Sequence, residues 1–488
     1  MSARLSKSKI LSGLQCEKRL WLEVRRPELA APADAATQRR FDAGNAVNDV
    51  ARALHSGGRL IGFDGGVKGA IAETQQALAA DPDAPVFEAT FAHDGVAVRA
   101  DILKKGKRGY RLIEVKSATG VKSPHYPDCA VQAWVLEANG VPIEKVELAH
   151  INNQFVYGGG GDYRGLLTYA DVTGEIAAEK TEAPQWARGF QKMLCGAQPD
   201  IGIGAHCRKP YECPFLSHCT AECGAAAEYP VSDLPGHKGN LVEELRAEGI
   251  TDIRDIPAGR LRNAKQEWVR EVTVRGGADL KPGAQSVIGA CEWPRYYLDF
   301  ETVMFAVPVW KDTRPYEALP FQWSCHIESE PGKLAHAEFL GGGDAPMRAF
   351  IESLLRAAGT RGAVFVYGGY EKRILNEAAA RFPEFSAEIK KITGRLVDLL
   401  PVVRENYYHP NMRGSWSLKM ALPCIAPHLS YDDLGEVQDG GAAGAAYCEM
   451  IAADTAPARA KKLNEDLRAY CKRDTEALVE LVRMLAGK

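Results

Sequence analysis

Residues 295–305 read RYYLDFETVMF, an aromatic and aliphatic strand interrupted by Asp299 and Glu301. Side chains alternate across a strand, so positions two apart point the same way. Two carboxylates therefore share one face of a segment that otherwise belongs in a core. Like charges that close repel, and buried charges require partners. Any fold that accommodates this strand must also supply what compensates these acids.

The strand opens the last of three regions. Residues 291–488 alternate strand with helix, which predicts an α/β layer. Residues 226–290, including GITDIRDIPAGRL, predict a small helical linker. Its rhythm is that of a helix–hairpin–helix element, which offers backbone amides to DNA phosphate; a packing linker is the alternative. Residues 1–225 mix helices with a strand-rich centre and end in a cysteine cluster. At 488 residues the chain is too long for one core. The glycine-rich GGGGD (158–162) and DGGAAGAA (439–446) lack a following Lys-Ser/Thr and read as a loop and a helix start.

Composition narrows the class. Apolar content of 46% and charged content of 25% are those of a soluble globular protein. No apolar run resembles a signal peptide or spans a bilayer, so the expectation is cytoplasmic, with no membrane partner. A net charge of −3 gives no global sign of a polyanion partner, which leaves nucleic-acid contact to local basic patches. Twelve cysteines exceed what a core needs, and clustered thiols in a reducing compartment point to metal.

A first acidic constellation lies in VFEATFAHDGVAVRADIL and GYRLIEVKSATG. Asp101 ends one strand, and Glu114 and Lys116 share a face of the next. Two acids and a lysine on adjacent strands can hold a divalent cation and activate a water or offset phosphate charge. The alternative is a cross-strand salt bridge between Lys116 and Asp101. These features, with Glu88 upstream and Gln132 on the following helix, resemble the RecB-like branch of the PD-(D/E)XK nucleases. The resemblance implies a restriction-endonuclease-like fold, with Glu88, Asp101 and Glu114 as Mg²⁺ or Mn²⁺ ligands and Lys116 and Gln132 as catalytic residues. Leu136 stands where the family often has a tyrosine, and GNAVNDVA (44–51) where many members carry a histidine. His55 is nearby and reads as structural.

GAHCRKPYECPFLSHCTAEC sets Cys207, Cys213 and Cys219 at C-x5-C-x5-C, with Cys223 four further on. Three or four thiolates in one loop bind zinc or an iron–sulfur cluster, and spacing alone does not choose. The iron–sulfur members of the RecB-like branch favour a 4Fe–4S cluster. By that resemblance Cys16 is the upstream ligand, joined by Cys207, Cys213 and Cys219, with Cys223 a possible substitute. The remaining cysteines read as buried structural thiols.

The opening strand gains partners from two later segments. AVFVYGGYEKRILNEAA leads a strand through glycines into a helix at Glu371, and DLRAYCKRDTEALVELVRML puts Tyr470 and Asp474 one helical turn apart. This pattern resembles the DnaQ-like 3′–5′ exonucleases of the DEDD type, tyrosine subtype, and implies a ribonuclease-H-like fold. Asp299, Glu301 and Asp474 carry over as metal ligands, Glu371 takes the place of the family's aspartate, and Asp398 is a further acid. GSWSLKMALP (414–423) resembles the S-x-K helix start that follows. Tyr470 would orient the attacking water.

Together these resemblances imply a two-headed, metal-dependent nuclease acting on DNA ends or single strands, with partners in repair or defence. The alternatives are a non-catalytic nucleic-acid-binding protein with one or both folds decayed, and an exonuclease directed at RNA.

Overall fold

The short strand-forming runs of the first 225 residues assemble into one mixed sheet. The structure, a computed structural model, describes residues 5–33, 35–222, 227–236, 240–431 and 433–487. The chain separates into two units, Met1–Ala225 with Phe305–Glu317, and Ala226–Met304 with Ala318–Lys488. Both mix helices with sheet, so the α/β class expected from the sequence holds. Among the described residues no helix is long and apolar enough to cross a membrane.

In the first unit β1 (Leu5–Ser6), β2 (Arg59–Leu60), β3 (Val86–His93), β4 (Val96–Lys105), β5 (Tyr110–Lys116), β6 (Ile143–Ile151) and β7 (Leu167–Asp171) form a seven-stranded sheet. Its order is β2-β3-β4-β5-β6-β7, with β1 parallel to β4 at Leu5 opposite Val96. The β3–β4 hairpin turns on Asp94 and Gly95, both at positive φ (46° and 78°). This Asp-Gly pair is what a two-residue hairpin of matching twist demands. β5 and β6 run parallel and are joined by the helix His125–Ala138, the crossover that parallel strands require. That helix buries Cys129, Ala130, Val131, Ala133, Val135 and Leu136 in the core of the sheet.

The β4–β5 ladder ends at Ile102 opposite Ile113. Beyond it, Asp101 Oδ2 accepts the Val115 amide at 2.7 Å, so a side chain takes over where backbone pairing stops. β1 pairs with the other end of β4, at Val96 and Ala97, and the helix Lys7–Gln15 starts immediately after it. Cys16 then separates that helix from the next, Glu17–Arg25.

In the second unit the opening strand, β8 (Arg295–Val303), is the centre of a five-stranded sheet. With β9 (Leu319–Glu330), β10 (Lys333–Leu340), β11 (Ala363–Val366) and β12 (Leu396–Asp398), the order is β10-β9-β8-β11-β12. β8, β9 and β10 are successively antiparallel, while β11 and β12 run parallel to β8. Alternation along β8 serves two cores. Tyr296, Leu298 and Phe300 pack with Phe350, Ile351 and Leu354 of the helix Met347–Ala357. Tyr297 faces the opposite way, into a core with Phe365, Leu478 and Val482. Asp299 and Glu301 continue that second face toward the long C-terminal helix Pro457–Leu485.

Residues 226–290, expected as a separate linker, share this second core. Val242, Leu245, Ile253, Val269 and Ile288 are buried in the same cluster as Tyr297 and Leu478. An apolar face of that size is stable only when covered, and the sheet and C-terminal helix of the second unit cover it.

Candidate functional site

Asp299, Glu301 and Asp474 bring three carboxylate oxygens within 4.8 Å of one another. Among the described residues this is the grouping of three metal-ligating side chains tight enough for an ion. Strand period places the first two, and helix period places the third. Tyr470, Cys471 and Asp474 all lie on the buried side of the C-terminal helix. A bulge in β9 at Phe321, opposite the Glu301 end of β8, bends the ladder beside the site, a common place for bulges.

The electrostatics are those of several acids buried together. Burial first, then the charges of Asp474, Glu301 and Glu371, push the Asp299 carboxyl well above its ordinary range. Burial and Asp474 do the same to Glu301, against the pull of Lys419. Burial lifts Asp474 to about 6, held there by hydroxyls of Tyr431 and Tyr470 and by the positive charge of Lys419. Tyr431 donates to Asp474 Oδ1 at 2.5 Å. Burial and the surrounding acids also raise the Tyr470 phenol, which therefore stays protonated and acts as a donor.

The other two acids expected here take different positions. Glu371 opens the helix Tyr370–Arg381 after a Gly368–Gly369 turn, in which Gly368 has φ of 107°. It is only 3% exposed, its Oε2 has no hydrogen-bond partner, and burial lifts it to about 8 with Asp398 and Asp474 adding to the effect. A buried carboxylate oxygen without a partner is costly, and the Glu371 charge adds to the burden on Asp299 and Glu301. Asp398 instead caps a helix: its Oδ1 accepts the amides of Gly368 at 2.8 Å and Leu400 at 2.9 Å. The carboxyl end of β8, the turn after β11 and the end of β12 thus carry Glu301, Glu371 and Asp398. In open α/β sheets the carboxyl ends of parallel strands are where ligands bind.

Two groups at this site, Tyr431 and Cys471, were not singled out from the sequence, and Lys419 entered only as the lysine of the S-x-K stretch. Tyr431 sits in an irregular segment with no periodicity to mark it. Lys419, within the S-x-K stretch, lies over the rings of Tyr431 and Tyr470 at 5.6 and 5.7 Å and donates to Gln438 O at 2.6 Å. Cys471, expected as a structural thiol, contacts Asp299 Oδ2 at 3.6 Å. The signal for Cys471 was available, since it neighbours Tyr470 on a helix whose face was already assigned.

The first constellation is built differently. Glu114 is buried and accepts from Lys116 at 2.6 Å, Gln132 at 2.7 Å and Lys7 at 2.8 and 3.0 Å. Asp128 joins through Lys116 at 2.6 Å and Gln132 at 3.1 Å. Burial would raise Glu114, but the two lysines hold it far below the ordinary carboxylate range. Asp101 is pushed up to about 7 by burial and by Glu114, against the two lysines and the Val115 amide. Lys116 pairs with Glu114 and Asp128, and its ion pair is not with Asp101. Glu88, at φ of 57°, pairs with Arg99 at 3.2 Å and Arg52 at 4.0 Å, turned to arginines and not to this cluster. Lys7 and Asp128 escaped the sequence reading because neither belongs to the strand motifs. His55 hydrogen-bonds Tyr169 at 3.1 Å and stacks edge-on to it, a structural histidine.

Cys16, Cys207, Cys213 and Cys219 line one pocket, all as free thiols, although Cys16 is about 190 residues from the rest. Gln15 fastens the distant strand of chain by donating to the carbonyls of His206 and Tyr211, each at 2.7 Å. Burial raises the Cys213 and Cys219 thiols, each of which also feels Cys16 and Cys207. Thiols that line one pocket are a donor set for a soft metal. Cys223 lies outside the described residues.

Residues 296–417 match a family described as a domain of unknown function, DUF2779. No curated protein matches the chain. Among solved structures the chain is similar to one titled "Crystal structure of SSO0001", at 15% identity over 44% of this chain and 86% of that one, with a TM-score of 0.23.

Proposed function

We propose that the chain is a metal-dependent nuclease that hydrolyses phosphodiester bonds of DNA. A DnaQ-like, ribonuclease-H-like exonuclease site lies in the second unit, and a RecB-like PD-(D/E)XK site lies in the first. The observation that carries this reading is the convergence of Asp299, Glu301 and Asp474 within 4.8 Å, with Glu371 orphaned beside them. Such acids are costly to bury together and gain nothing structurally unless a cation joins them. The mixed sheet, with its acids at the carboxyl ends of parallel strands, supports the exonuclease fold. Three antiparallel strands, a crossover helix and a fourth strand, carrying Asp101, Glu114, Lys116 and Gln132, support the PD-(D/E)XK fold.

Bound Mg²⁺ or Mn²⁺ would lower the pKa of a water nucleophile and offset charge on the leaving oxygen. Asp299, Glu301, Asp474 and Glu371 would hold it. Tyr470, kept protonated, holds a water or a carboxylate oxygen by donating to it and takes no proton itself. Tyr431 fixes Asp474. Lys419, whose charge already acts on Glu301 and Asp474, would meet a phosphate. In the first unit Lys116 and Gln132 orient Glu114.

The four thiols would hold an iron–sulfur cluster. Thiolates on one zinc ion, each at about 2.3 Å from it, stand less than about 4 Å apart. Among the described residues these thiols form no such tight grouping, and the resemblance to the iron–sulfur nucleases favours the cluster. The cluster would join the helix ends at Cys16 to the loop at 207–219.

The test is cleavage of end-labelled DNA and RNA by the full chain, purified anaerobically, with Mg²⁺ or Mn²⁺. Wild type should shorten DNA, Asp299→Asn should lose the products of the second site, and Asp299→Asn combined with Lys116→Ala should lose all cleavage. A wild type inert on every substrate and metal overturns the reading. A second reading, in which the first unit binds nucleic acid without cutting, is favoured by the lysines on Glu114 and the arginines on Glu88. It predicts that Lys116→Ala leaves every cleavage product unchanged.

A further inference from the structure

Lys7 sits where a cation would have to sit. A carboxylate offers about four lone-pair sites. On Glu114 all four are met: Oε1 by Lys116 and Lys7, Oε2 by Gln132 and Lys7. Lys7 Nζ also faces Asp128 Oδ1 at 3.5 Å. No lone pair of Glu114 is left for a metal ion unless one donor departs.

The three donors are not equally free to go. Lys116 is on the same strand as Glu114 and is also held by Asp128 at 2.6 Å. Gln132 is fully buried and engages both acids. Lys7 has a side chain 23% exposed and hangs from the first residue of a helix that follows a two-residue strand. Its ammonium is a compact point charge on a flexible stem, so it can leave without disturbing the sheet.

We propose that Lys7 is the resident counter-ion of Glu114, and that a divalent cation binds the first site only by displacing it. The displaced ammonium is then available to an anionic phosphate at the same place. This inference rests on the reading that Asp101 and Glu114 take a cation. With Lys7 gone, Asp101, Glu114 and Asp128 face Lys116 alone, and the attraction for a divalent ion rises. A lysine that only staples the N-terminal helix to the sheet has the opposite signature. Its loss loosens the site and weakens whatever binds there.

The test uses the full chain carrying Asp299→Asn and Asp474→Asn, which silence the second site. Mn²⁺ is titrated into it and free ion counted by electron paramagnetic resonance. Lys7→Met and Lys7→Gln should bind Mn²⁺ about tenfold more tightly than the parent, the scale of one charge-assisted hydrogen bond released. Lys7→Arg, which keeps the charge, should bind as weakly as the parent. If Lys7→Met unfolds, as melting without metal will reveal, Lys7→Gln decides, because it retains a donor. Unchanged or weaker Mn²⁺ binding in the neutral variants overturns the proposal and leaves the metal reading standing. Absence of Mn²⁺ binding in parent and neutral variants alike overturns both.

Discussion

Tyr431 donates its hydroxyl to Asp474 Oδ1 at 2.5 Å, although 43 residues separate them, so Asp474 is served by two phenols, this one and Tyr470. Hydrogen bonds to a charged group contribute more than neutral ones, roughly 1.5–3 kcal/mol. Tyr431→Phe is therefore expected to leave Asp474 less able to stay ionised, weakening Mn²⁺ binding at the second site and lowering kcat by about tenfold or more. Tyr470→Phe should lower it further, because that hydroxyl also faces the acids from the helix. Metal titration and single-turnover cleavage measure both, and wild-type cleavage by Tyr431→Phe would show that the hydroxyl only packs.

Asp398 separates capping from ligation. Its Oδ1 satisfies the amides of Gly368 and Leu400, so Asp398→Ala should cost about 1 kcal/mol as a lost helix cap. Asp398→Asn preserves an accepting oxygen and should cost only a few tenths. Both should bind Mn²⁺ as wild type does, whereas Glu371→Gln should weaken it. A loss of metal in Asp398→Asn equal to that in Glu371→Gln would make Asp398 a ligand after all.

The legible part of the second site was its periodicity. Two-residue spacing on β8 and four-residue spacing on the C-terminal helix are local, so Asp299, Glu301, Tyr470 and Asp474 could be assigned to faces without knowing the sheet. What joined those faces was tertiary. Tyr431 comes from an irregular segment, and Lys7 reaches Glu114 across 107 residues because β1 docks beside β4. Nothing in LSKSKIL marks a lysine for that position. The run at 226–290 was legible as helix but not as part of a core, since its apolar face gains its cover only from the sheet that follows. Glu88 had the right residue type in the right order, yet its carboxylate pairs with arginines, and one oxygen of Asp398 is engaged by backbone amides.

The raised acids of the second site set a pH dependence. Glu371 at about 8 and Asp474 at about 6 bind protons in the folded chain that they release in the unfolded one at ordinary carboxylate values near 4. Stability falls with pH wherever the folded state holds more protons. Without metal, the second unit should be most stable near pH 4–5 and lose stability as pH rises toward about 8. Mg²⁺ or Mn²⁺, bound by the ionised acids, should reverse the slope between about pH 6 and 8. Thermal melts across this range, with chelator and with excess ion, measure it; a flat profile without metal would mean that the acids are not jointly buried in solution. Asp299→Asn should raise the metal-free melting temperature at pH 8 while abolishing the gain from ion.

The thiol pocket makes the last prediction. Cys16, Cys207, Cys213 and Cys219 share it, whereas Cys129 and Cys325 are buried elsewhere among apolar side chains. Anaerobically purified wild type should carry iron and inorganic sulfide, with the broad visible absorption of a cluster. Serine at any of the four pocket positions should lose most of both. Cys129→Ala should retain them and cost only what a small core cavity costs, roughly 1 kcal/mol. Because Cys16 ends the helix that begins at Lys7, losing the cluster should also loosen the first unit, and its melting transition should fall by several degrees while that of the second unit stays put. Zinc at one ion per chain with no sulfide would keep the pocket as a metal site but replace the cluster with a single ion. Metal-free protein with unchanged melting in all four variants would reduce the pocket to packing.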